Sequence, residues 1–305
     1  MKKTKITVLG SFVVDLTGRA PHLPVTGETV KGSTFKMGPG GKGSNQAVAA
    51  QRAGAEITLI TKVGRDTFGK VALDNFKREN MDTKFIFEDK NHETGAALIM
   101  VDENTSENKI LVLPGACEHI TDENVEFARE SIENAEVFLT QLEINMEAIE
   151  KAIDIAYTKG VITVLNPAPV QPLTDDFLKK IHIITPNEVE ASILTGIKIE
   201  TDEDVRKASE VFLSKGVKNV IITLGGKGVY ARTINEEKFI PAIDVKPVDT
   251  TGAGDAFNGG FVTALAEGKS FFQAAAFGNV VGALSVTKLG TAPSMPYRDE
   301  IEKFL

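Results

Sequence analysis

Residues 249–257 read DTTGAGDAF, a glycine-rich turn that leads into two long runs of small and apolar residues. These runs predict two helices, 256–267 and 271–287, whose glycines and alanines let them pack close to each other and to a sheet. Backbone N–H groups at a helix start bind anions, so the turn could hold a transferring phosphoryl group. Asp255 is then either a general base for an attacking hydroxyl or a first-turn acid that complements the helix dipole.

The rest of the chain alternates short apolar runs with helical patterns. Continuous β-branched runs of this length are typical of strands buried on both faces of a parallel sheet. They lie at residues 6–9, 57–60, 137–139, 161–165, 181–184 and 220–223. The helical patterns cover residues 44–53, 68–79, 121–132, 146–157 and 202–214, with Ser44, Thr121 and Thr201 as predicted N-caps. We therefore predict an α/β fold, a doubly wound and mostly parallel central sheet flanked by helices.

Two stretches break this alternation. Residues 29–37 and 95–112 have the pattern of strands, and no long helix interrupts either stretch. Within the second stretch, the polar segment 102–108 predicts the turn of a hairpin. We predict a small β-sheet lid whose strands are inserted at about residues 12–37 and 94–114. No linker-like composition divides the chain, so we predict a single domain over residues 1–305.

The composition of the chain argues against several classes of protein. The 305 residues carry a net charge of −8, which argues against non-specific nucleic-acid binding. One cysteine, Cys117, excludes an internal disulfide and a cysteine-based zinc site. Charges interrupt the apolar stretches before the ~20 residues that a membrane span needs. The N-terminal segment lacks the apolar stretch of a signal peptide, so we expect a cytoplasmic protein without membrane attachment.

A second glycine-rich motif, GPGGKGSNQ, occupies residues 38–46. Its glycines match G-x-G-x-x-G, but it does not follow the first strand and no acid ends the next one, which disfavours a dinucleotide site. Lys42 is followed by Gly43, so it is not a P-loop either. Two interpretations of this motif remain. It is either a plain turn before a helix, or a glycine-rich backbone that approaches a ligand closely, in which Lys42 and Asn45 lie beside the helix N-terminus.

Two further motifs follow predicted strands. Residues 185–190, TPNEVE, open a helix with acids that either complement its dipole or organise Mg²⁺ and its waters. Residues 222–228, ITLGGKG, form a glycine loop that either lies along a nucleotide or simply turns into the apolar run that follows.

The combination resembles the PfkB, or ribokinase-like, family of carbohydrate kinases along essentially the whole chain. Residues 40–45, 249–257 and 186–190 resemble the family's first signature, its second signature and its metal and phosphate motif. Residues 141–143, 165–169 and 290–294 resemble the ribokinase branch. The resemblance implies ATP-dependent phosphorylation of the 5-hydroxyl of D-ribose, giving D-ribose 5-phosphate and ADP.

The resemblance also implies the site residues. Asp255 is the base, and the anion hole consists of Gly252, Ala253 and Gly254. The sugar is held by Asp15, Gly40, Gly41, Lys42, Asn45, Glu143 and Asp255, with Val13 beside it. ATP is lined by Asn187, Thr223, Leu224, Gly225, Gly226, Gly228, Gly254 and Asn279.

Two metal ions and a partner are implied in the same way. Glu190 holds Mg²⁺ through water. K⁺ is bound, partly through backbone carbonyls, by Asp249, Thr251, Ser285, Lys288, Gly290 and Ser294. The lid is expected to pair with its copy in a homodimer, because exposed strand edges are a liability that pairing resolves.

One departure from the family's pattern concerns the sugar. Val13 stands two positions before Asp15, where ribokinases usually carry asparagine. A site without that amide should reject a deoxy sugar less strongly, which makes 2-deoxyribose the alternative substrate. A sugar- or nucleotide-binding regulator that has lost the chemistry is a further alternative, disfavoured by the intact Asp255 and anion-hole residues. A dinucleotide oxidoreductase is disfavoured by the motif's position.

Overall fold

The computed structural model describes residues 4–105 and 107–305, which fold around two sheets. The strands are β1 (Lys5–Leu9), β2 (Val13–Ala20), β3 (Thr34–Gly40), β4 (Glu56–Gly64), β5 (Ile86–Asp89), β6 (Thr94–Asp102), β7 (Asn108–Gly115), β8 (Val137–Thr140), β9 (Ile162–Leu165), β10 (Ile183–Ile184), β11 (Asn219–Thr223), β12 (Gly228–Arg232) and β13 (Glu237–Pro241). The helices are α1 (Lys42–Ala53), α2 (Thr67–Arg78), α3 (Asp122–Phe127), α4 (Arg129–Glu133), α5 (Met146–Lys159), α6 (Asp175–Leu178), α7 (Glu188–Thr195), α8 (Asp202–Ser214), α9 (Ala253–Ala266), α10 (Phe271–Ser285) and α11 (Arg298–Ile301).

The larger sheet has the strand order β13-β12-β11-β10-β9-β8-β1-β4-β5. The seven strands from β11 to β5 in this order pair in parallel, and β12 and β13 are antiparallel. One apolar core packs α1, α2, α9 and α10 against one face, and a second packs α3 to α8 against the other. This confirms the predicted doubly wound α/β fold.

The strand order reverses between β1 and β8. After β1 the chain passes through β2 and β3 of the smaller sheet and returns to the larger sheet at β4, on one side of β1. After β8 it continues to β9 and β10, on the other side. The loops after β1 and β8 therefore diverge and leave a crevice outside the carboxyl ends of the strands, where ligands bind in open α/β sheets. These loops are residues 10–12 and 141–145.

The smaller sheet has the order β3-β2-β6-β7 and contains the segments predicted to form a lid. The hairpin between β6 and β7 is confirmed. The strand predicted at residues 29–37 instead begins at Thr34, where pairing with Arg19 of β2 starts, and it continues to Gly40 opposite Val13. The single-domain interpretation stays a prediction.

Helix starts were predicted with mixed success. Thr121 and Thr201 are N-caps, and each accepts a backbone N–H three residues on. The prediction that Ser44 is an N-cap was wrong, because α1 begins at Lys42 and its N-cap is Gly41, which has a φ of 89°. A Cβ at Gly41 would lie 2.9 Å from Phe12 Cα, so only glycine fits this turn. The helix predicted at 121–132 is divided at Ala128.

A membrane-crossing helix is absent from the part of the chain that the structure describes, since none of its helices combines the necessary length and hydrophobicity.

Candidate active site

The turn before α9 positions Asp255. Gly252 is the N-cap in the left-handed conformation at φ 78°, and α9 begins at Ala253, three residues earlier than predicted. Asp255 therefore lies in the first turn of the helix. Ala253 donates its N–H to Thr250 O over 3.2 Å, a tight turn that aligns the following N–H groups at the positive end of the helix.

Asp255 is buried against α1, whose start the second glycine-rich motif forms. Its Oδ2 accepts a hydrogen bond from Asn45 Nδ2 (3.1 Å), and its Oδ1 accepts one from Gln46 Nε2 (2.9 Å). Burial raises the pKa of the Asp255 carboxyl, while Lys42 and the two amides oppose that rise. The structure thus brings together residues from the two glycine-rich motifs, 209 and 210 positions apart.

Lys42 lies among three carboxylates. Burial disfavours its charge, but Asp255, Glu143 and Glu190 outweigh that effect and raise the pKa of the ammonium group. Glu143 also accepts a hydrogen bond from the backbone N–H of Lys42 (2.9 Å) and one from the hydroxyl of Ser11. Glu143 follows β8 and Ser11 follows β1, so this contact lies at the reversal of the strand order.

Asp15 reaches the same centre from the lid strand β2. Its Oδ2 accepts a hydrogen bond from Thr291 Oγ1 (3.3 Å), and burial, with smaller contributions from Glu143 and Asp255, raises its pKa to about 6. A Cβ at Gly40 would lie 2.1 Å from Asp15 Oδ1, so the glycine leaves the space that the carboxylate occupies.

Val13 shares the strand face of Asp15, two positions before it. Its cross-strand neighbours are both glycines, Gly40 on β3 and Gly95 on β6. Val13 is only 3% exposed, yet it belongs to neither apolar core, unlike its neighbours Phe12 and Val14. Val13 is therefore a buried side chain on the same strand face as Asp15.

A cavity of about 780 Å³ adjoins the start of α9. Most of the residues predicted to line ATP lie along it: Asn187, Thr223, Gly225, Gly226, Gly228, Gly254 and Asn279. Leu224 differs, because its side chain packs into the apolar core and its backbone N–H bonds Gly228 O. Asn279 donates its amide to Pro241 O (2.8 Å), which fixes its orientation at the cavity wall.

Sequence reasoning missed the apolar side of this cavity. It consists of the segment after β13, one face of α10 with the residue that follows it, and one side chain of α9: Ala242, Ile243, Val245, Gly282, Ala283, Val286 and Phe257. Apolar and small residues in a connecting segment carry no sequence signal for a ligand. One signal was available in α10, where Gly282 and Ala283 lie three and four residues after Asn279 and hence on the same helix face.

The residues predicted to bind K⁺ are partly brought together. Asp249 accepts the backbone N–H groups of Thr251 and Gly290 (both 3.0 Å), which join the turn before α9 to the segment after α10. Ser285 lies at the end of α10, and the hydroxyl of Ser294 bonds Thr291 O (2.8 Å). Lys288 directs its ammonium group away to Glu300 (2.6 Å).

Glu190 and Asn187 form a capping box at the start of α7. Glu190 accepts the backbone N–H and the side-chain amide of Asn187, each over 2.9 Å, so both of its oxygens are engaged. Burial raises the pKa of Glu190. Among residues 4–105 and 107–305, no group of three or more His, Cys, Asp or Glu side chains is placed to hold a metal ion.

Comparison with known proteins identifies the family of this chain. The sequence pattern of the pfkB family of carbohydrate kinases matches residues 3–298. A ribokinase from Haemophilus influenzae is 44% identical over 305 residues, covering 100% of this chain and 99% of that protein. A deoxyribokinase from Salmonella typhi is 35% identical over 301 residues, covering 98% of each.

A solved structure of comparable size extends the likeness to three dimensions. Arabidopsis thaliana ribokinase, complexed with ribose and ATP, has a TM-score of 0.91 at 30% sequence identity and covers 99% of this chain and 98% of its own. With a family pattern that spans nearly the whole sequence and a matching fold, this chain belongs to the pfkB family of carbohydrate kinases and is a phosphotransferase that acts on an alcohol group.

Proposed function

We propose that the chain transfers the γ-phosphoryl group of ATP to the 5-hydroxyl of D-ribose, giving D-ribose 5-phosphate and ADP. The position of Asp255 carries the proposal. Its buried carboxylate lies near the lid residue Asp15, in the first turn of a helix whose first residues, Ala253 and Gly254, line the 780 Å³ cavity. The 44% identity to a ribokinase over the full length supports the choice of sugar.

Different residues are proposed to bind the sugar, accept its proton and stabilise the transferring phosphoryl group. Asp15, Asn45 and Glu143, with Gly40, Gly41 and Lys42, hold the sugar so that its 5-hydroxyl meets the Asp255 carboxylate. Asp255 takes the hydroxyl proton as the oxygen–phosphorus bond forms and the bond from phosphorus to the ADP oxygen breaks. The N–H groups of Gly252 and Gly254 and the Lys42 ammonium group stabilise the charge on the transferring group, whereas the N–H of Ala253 is already donated to Thr250 O.

The cavity residues named above are proposed to bind ATP, which places its terminal phosphate at the start of α9. Mg²⁺, when bound, neutralises the phosphate oxygens and is held largely by them. Glu190, whose carboxylate lies near Lys42 and Asp255 at the start of α7, is proposed to hold Mg²⁺ through water.

The donor set around Asp249 fits a monovalent cation. Burial alone would raise the pKa of Asp249, but backbone N–H groups of Gly290 and Thr251 lower it, so the carboxylate stays ionised. K⁺ would be held by this carboxylate with oxygens of Thr251, Ser285, Lys288, Gly290 and Ser294. It would brace the turn that contains Gly252 without contact to the sugar.

Val13 favours a second candidate, 2-deoxyribose. An apolar, 3% exposed side chain beside Asp15 offers no hydrogen bond to a sugar hydroxyl. The likeness to a deoxyribokinase at 35% identity is compatible with it.

The lid is proposed to close over the sugar, exclude water and form a homodimer. Its edge strand β7 carries four consecutive exposed apolar residues, from Ile110 to Leu113. Leu98 and Met100 are exposed on the adjacent strand β6, and Phe35 and Met37 are exposed on β3 at the opposite edge. Such an edge invites pairing with a second sheet. We propose a cytoplasmic location, where ATP is supplied.

The test is ATP turnover with ribose, 2-deoxyribose, fructose and nucleosides, with the phosphorylated position of the product assigned by NMR. We expect turnover with ribose first. Asp255→Asn is the matched control, because it should lower kcat by ~10²–10⁴-fold while calorimetric binding of sugar and ATP persists. Absence of sugar-dependent turnover overturns the proposed function, and a variant within about threefold of the wild-type kcat overturns the role of Asp255.

A further inference from the structure

The buried side-chain amide of Gln46 holds one oxygen of the Asp255 carboxylate through a hydrogen bond. Gln46 is fully buried, and its Nε2 donates to Asp255 Oδ1 (2.9 Å) and to Asn166 Oδ1 (3.0 Å). Its own Oε1 accepts a hydrogen bond from Gln141 Nε2 (2.7 Å). The ionised carboxylate and Asn166 Oδ1 only accept hydrogen bonds, so the Nε2 of Gln46 faces them and uses both of its hydrogens, and Gln141 supports this direction by donating to Oε1. The direction of the Gln46 amide is thus set by its neighbours.

The network continues along the carboxyl ends of adjacent strands. Gln141, Asn166 and Thr185 directly follow β8, β9 and β10, and Asn166 Nδ2 donates to Thr185 O (3.0 Å). Thr185 Oγ1 donates to Asn258 Oδ1 (2.7 Å), and Asn258 Nδ2 donates to Gly254 O (2.8 Å). The chain of hydrogen bonds therefore starts at the carboxylate and returns to the residue before it. It ties the first turn of α9 to the sheet.

Asp255 needs such donors because its charged surroundings are mostly unfavourable. Lys42 of α1 is the cation that faces it. Three acids face it from other elements, Glu143 after β8, Asp15 of β2 and Glu190 of α7. A carboxylate that is desolvated among three acids tends to take up a proton, and hydrogen bonds to the charged form oppose this.

The two donors to Asp255 have different places in the site. Asn45 bonds Oδ2, and it is one of the residues proposed to contact the sugar. Gln46 bonds Oδ1 on the side of the buried network. We propose that Gln46 is a positioning residue that keeps Asp255 ionised and turns Oδ2 towards the sugar hydroxyl. This inference rests on the proposed function, in which Asp255 is the base.

Gln46→Met tests the inference, since methionine keeps the length and shape and removes the donor. Gln51→Met is the matched control on the same helix, because the Gln51 amide bonds the carbonyls of Glu79 and Asn80 (both 3.3 Å) away from the site. We expect the acidic limb of kcat against pH, measured at saturating sugar and ATP so that the titration of Asp15 does not enter, to move up by about one unit in Gln46→Met and to stay in place in Gln51→Met. A limb that does not move in a folded Gln46→Met enzyme overturns the proposal.

A second variant and a second measurement keep the test decisive. If Gln46→Met does not fold, Gln141→Met removes the donor that supports the direction of the Gln46 amide, and a smaller shift of the same sign is expected. The pKa of Asp255 is also measured directly, by titrating protein labelled with ¹³C at the aspartate carboxyl carbons, with the Asp255 signal assigned through Asp255→Asn. That titration needs no turnover. An inactive wild-type protein therefore overturns the proposed function alone, and an Asp255 signal that titrates identically with and without Gln46 overturns this inference alone.

Discussion

Thr291 Oγ1 lies 3.3 Å from Oδ2 of Asp15 and 3.2 Å from Pro39 O, so one hydroxyl near the C-terminus contacts two strands of the lid sheet. A Cβ at Gly252 would lie 3.4 Å from Thr291 Cα, which places the same residue against the turn that begins α9. Thr291 also follows Gly290, whose N–H bonds Asp249. It is therefore the contact through which the lid, the proposed anion hole and the proposed cation loop meet.

Removing the Thr291 hydroxyl should weaken sugar binding. Thr291→Val keeps the shape but leaves Asp15 without its side-chain donor, and a hydrogen bond of this kind contributes about 1 kcal/mol. We expect the KM for the sugar to rise by about three- to tenfold with kcat changed less, and Thr291→Ser to restore it. Steady-state kinetics at saturating ATP measures both constants. A sugar KM equal to that of the wild type in Thr291→Val would contradict this linking role.

Sugar affinity should fall as pH falls through about 6. Burial raises the pKa of Asp15 to about 6, so above that pH the carboxylate is ionised and both oxygens can accept hydrogen bonds from the hydroxyls of the proposed sugar substrate. Below it the protonated form predominates and one acceptor is lost. We expect the sugar KM to be constant above pH 7 and to rise by up to about tenfold per pH unit below 6, the slope of a single proton.

The matched control for this pH dependence is Asp15→Asn, whose sugar KM should be high and flat from pH 5 to 8. Titration of Asp255 acts on kcat as well, so the two carboxyls are distinguished by plotting kcat and KM separately against pH. A wild-type sugar KM that stays constant between pH 7 and 5 would show that the ionisation of Asp15 does not control binding.

The sequence predicted the parts of the molecule that follow local rules. Strands such as 220–223 and caps such as Thr201 depend on neighbours a few residues away, and they were confirmed. The N-cap Gly41 was missed because its φ depends on contact with Phe12 after another strand. Gln46 and Thr291 were missed for the same reason, since their partners Asp255 and Asp15 lie 209 and 276 positions away. Long-range contacts of this kind have no spacing that a single sequence displays.

Activity should depend on a monovalent cation of the size of K⁺. Asp249 joins the turn at Thr251 to Gly290, and a cation beside this carboxylate would stabilise the turn that forms the proposed anion hole. We expect the rate to fall severalfold in K⁺-free choline buffer, and K⁺ to raise the Tm of the wild type through preferential binding to the folded state. Equal rates with and without K⁺ would argue against the site.

Two substitutions distinguish the contributions of Asp249 and Thr251 to cation binding. Asp249→Asn should abolish the effect of K⁺ on both rate and Tm, because the charge that holds the cation is gone. Thr251→Val should be mild, since the residue is proposed to offer only its backbone carbonyl. A strong loss of K⁺ response in Thr251→Val would instead assign its hydroxyl to the cation.

A charge on the exposed face of the lid should separate the proposed dimer. Leu111 on β7 is 56% exposed, and Leu111→Glu would place a desolvated carboxylate in an apolar interface. We expect light scattering to give the mass of two chains for the wild type and of one chain for the variant, with a raised sugar KM. Ile234→Glu is the control, since Ile234 is 81% exposed outside the lid sheet. A wild-type monomer with full activity would refute the dimer.

Val13→Asn should change the choice between ribose and 2-deoxyribose. Val13 lies on the strand face of Asp15 between Gly40 and Gly95, and a Cβ at Gly95 would come within 2.8 Å of Val13 Cγ1, so the glycine leaves room for a side chain of this size. A buried sugar hydroxyl that lacks a partner costs roughly 1–3 kcal/mol, and an amide at this position would supply one.

We expect Val13→Asn to raise the ribose-to-deoxyribose ratio of kcat/KM by about tenfold or more, because ~1.4 kcal/mol corresponds to one decade. Val13→Thr, which has nearly the same shape, tests whether a hydroxyl suffices and should give a smaller change in the same direction. The ratio is measured from the two sugars competing for limiting enzyme, so the active fraction cancels. If the ratio is unchanged in a folded and active Val13→Asn enzyme, Val13 only packs beside Asp15 and ribose is the better assignment.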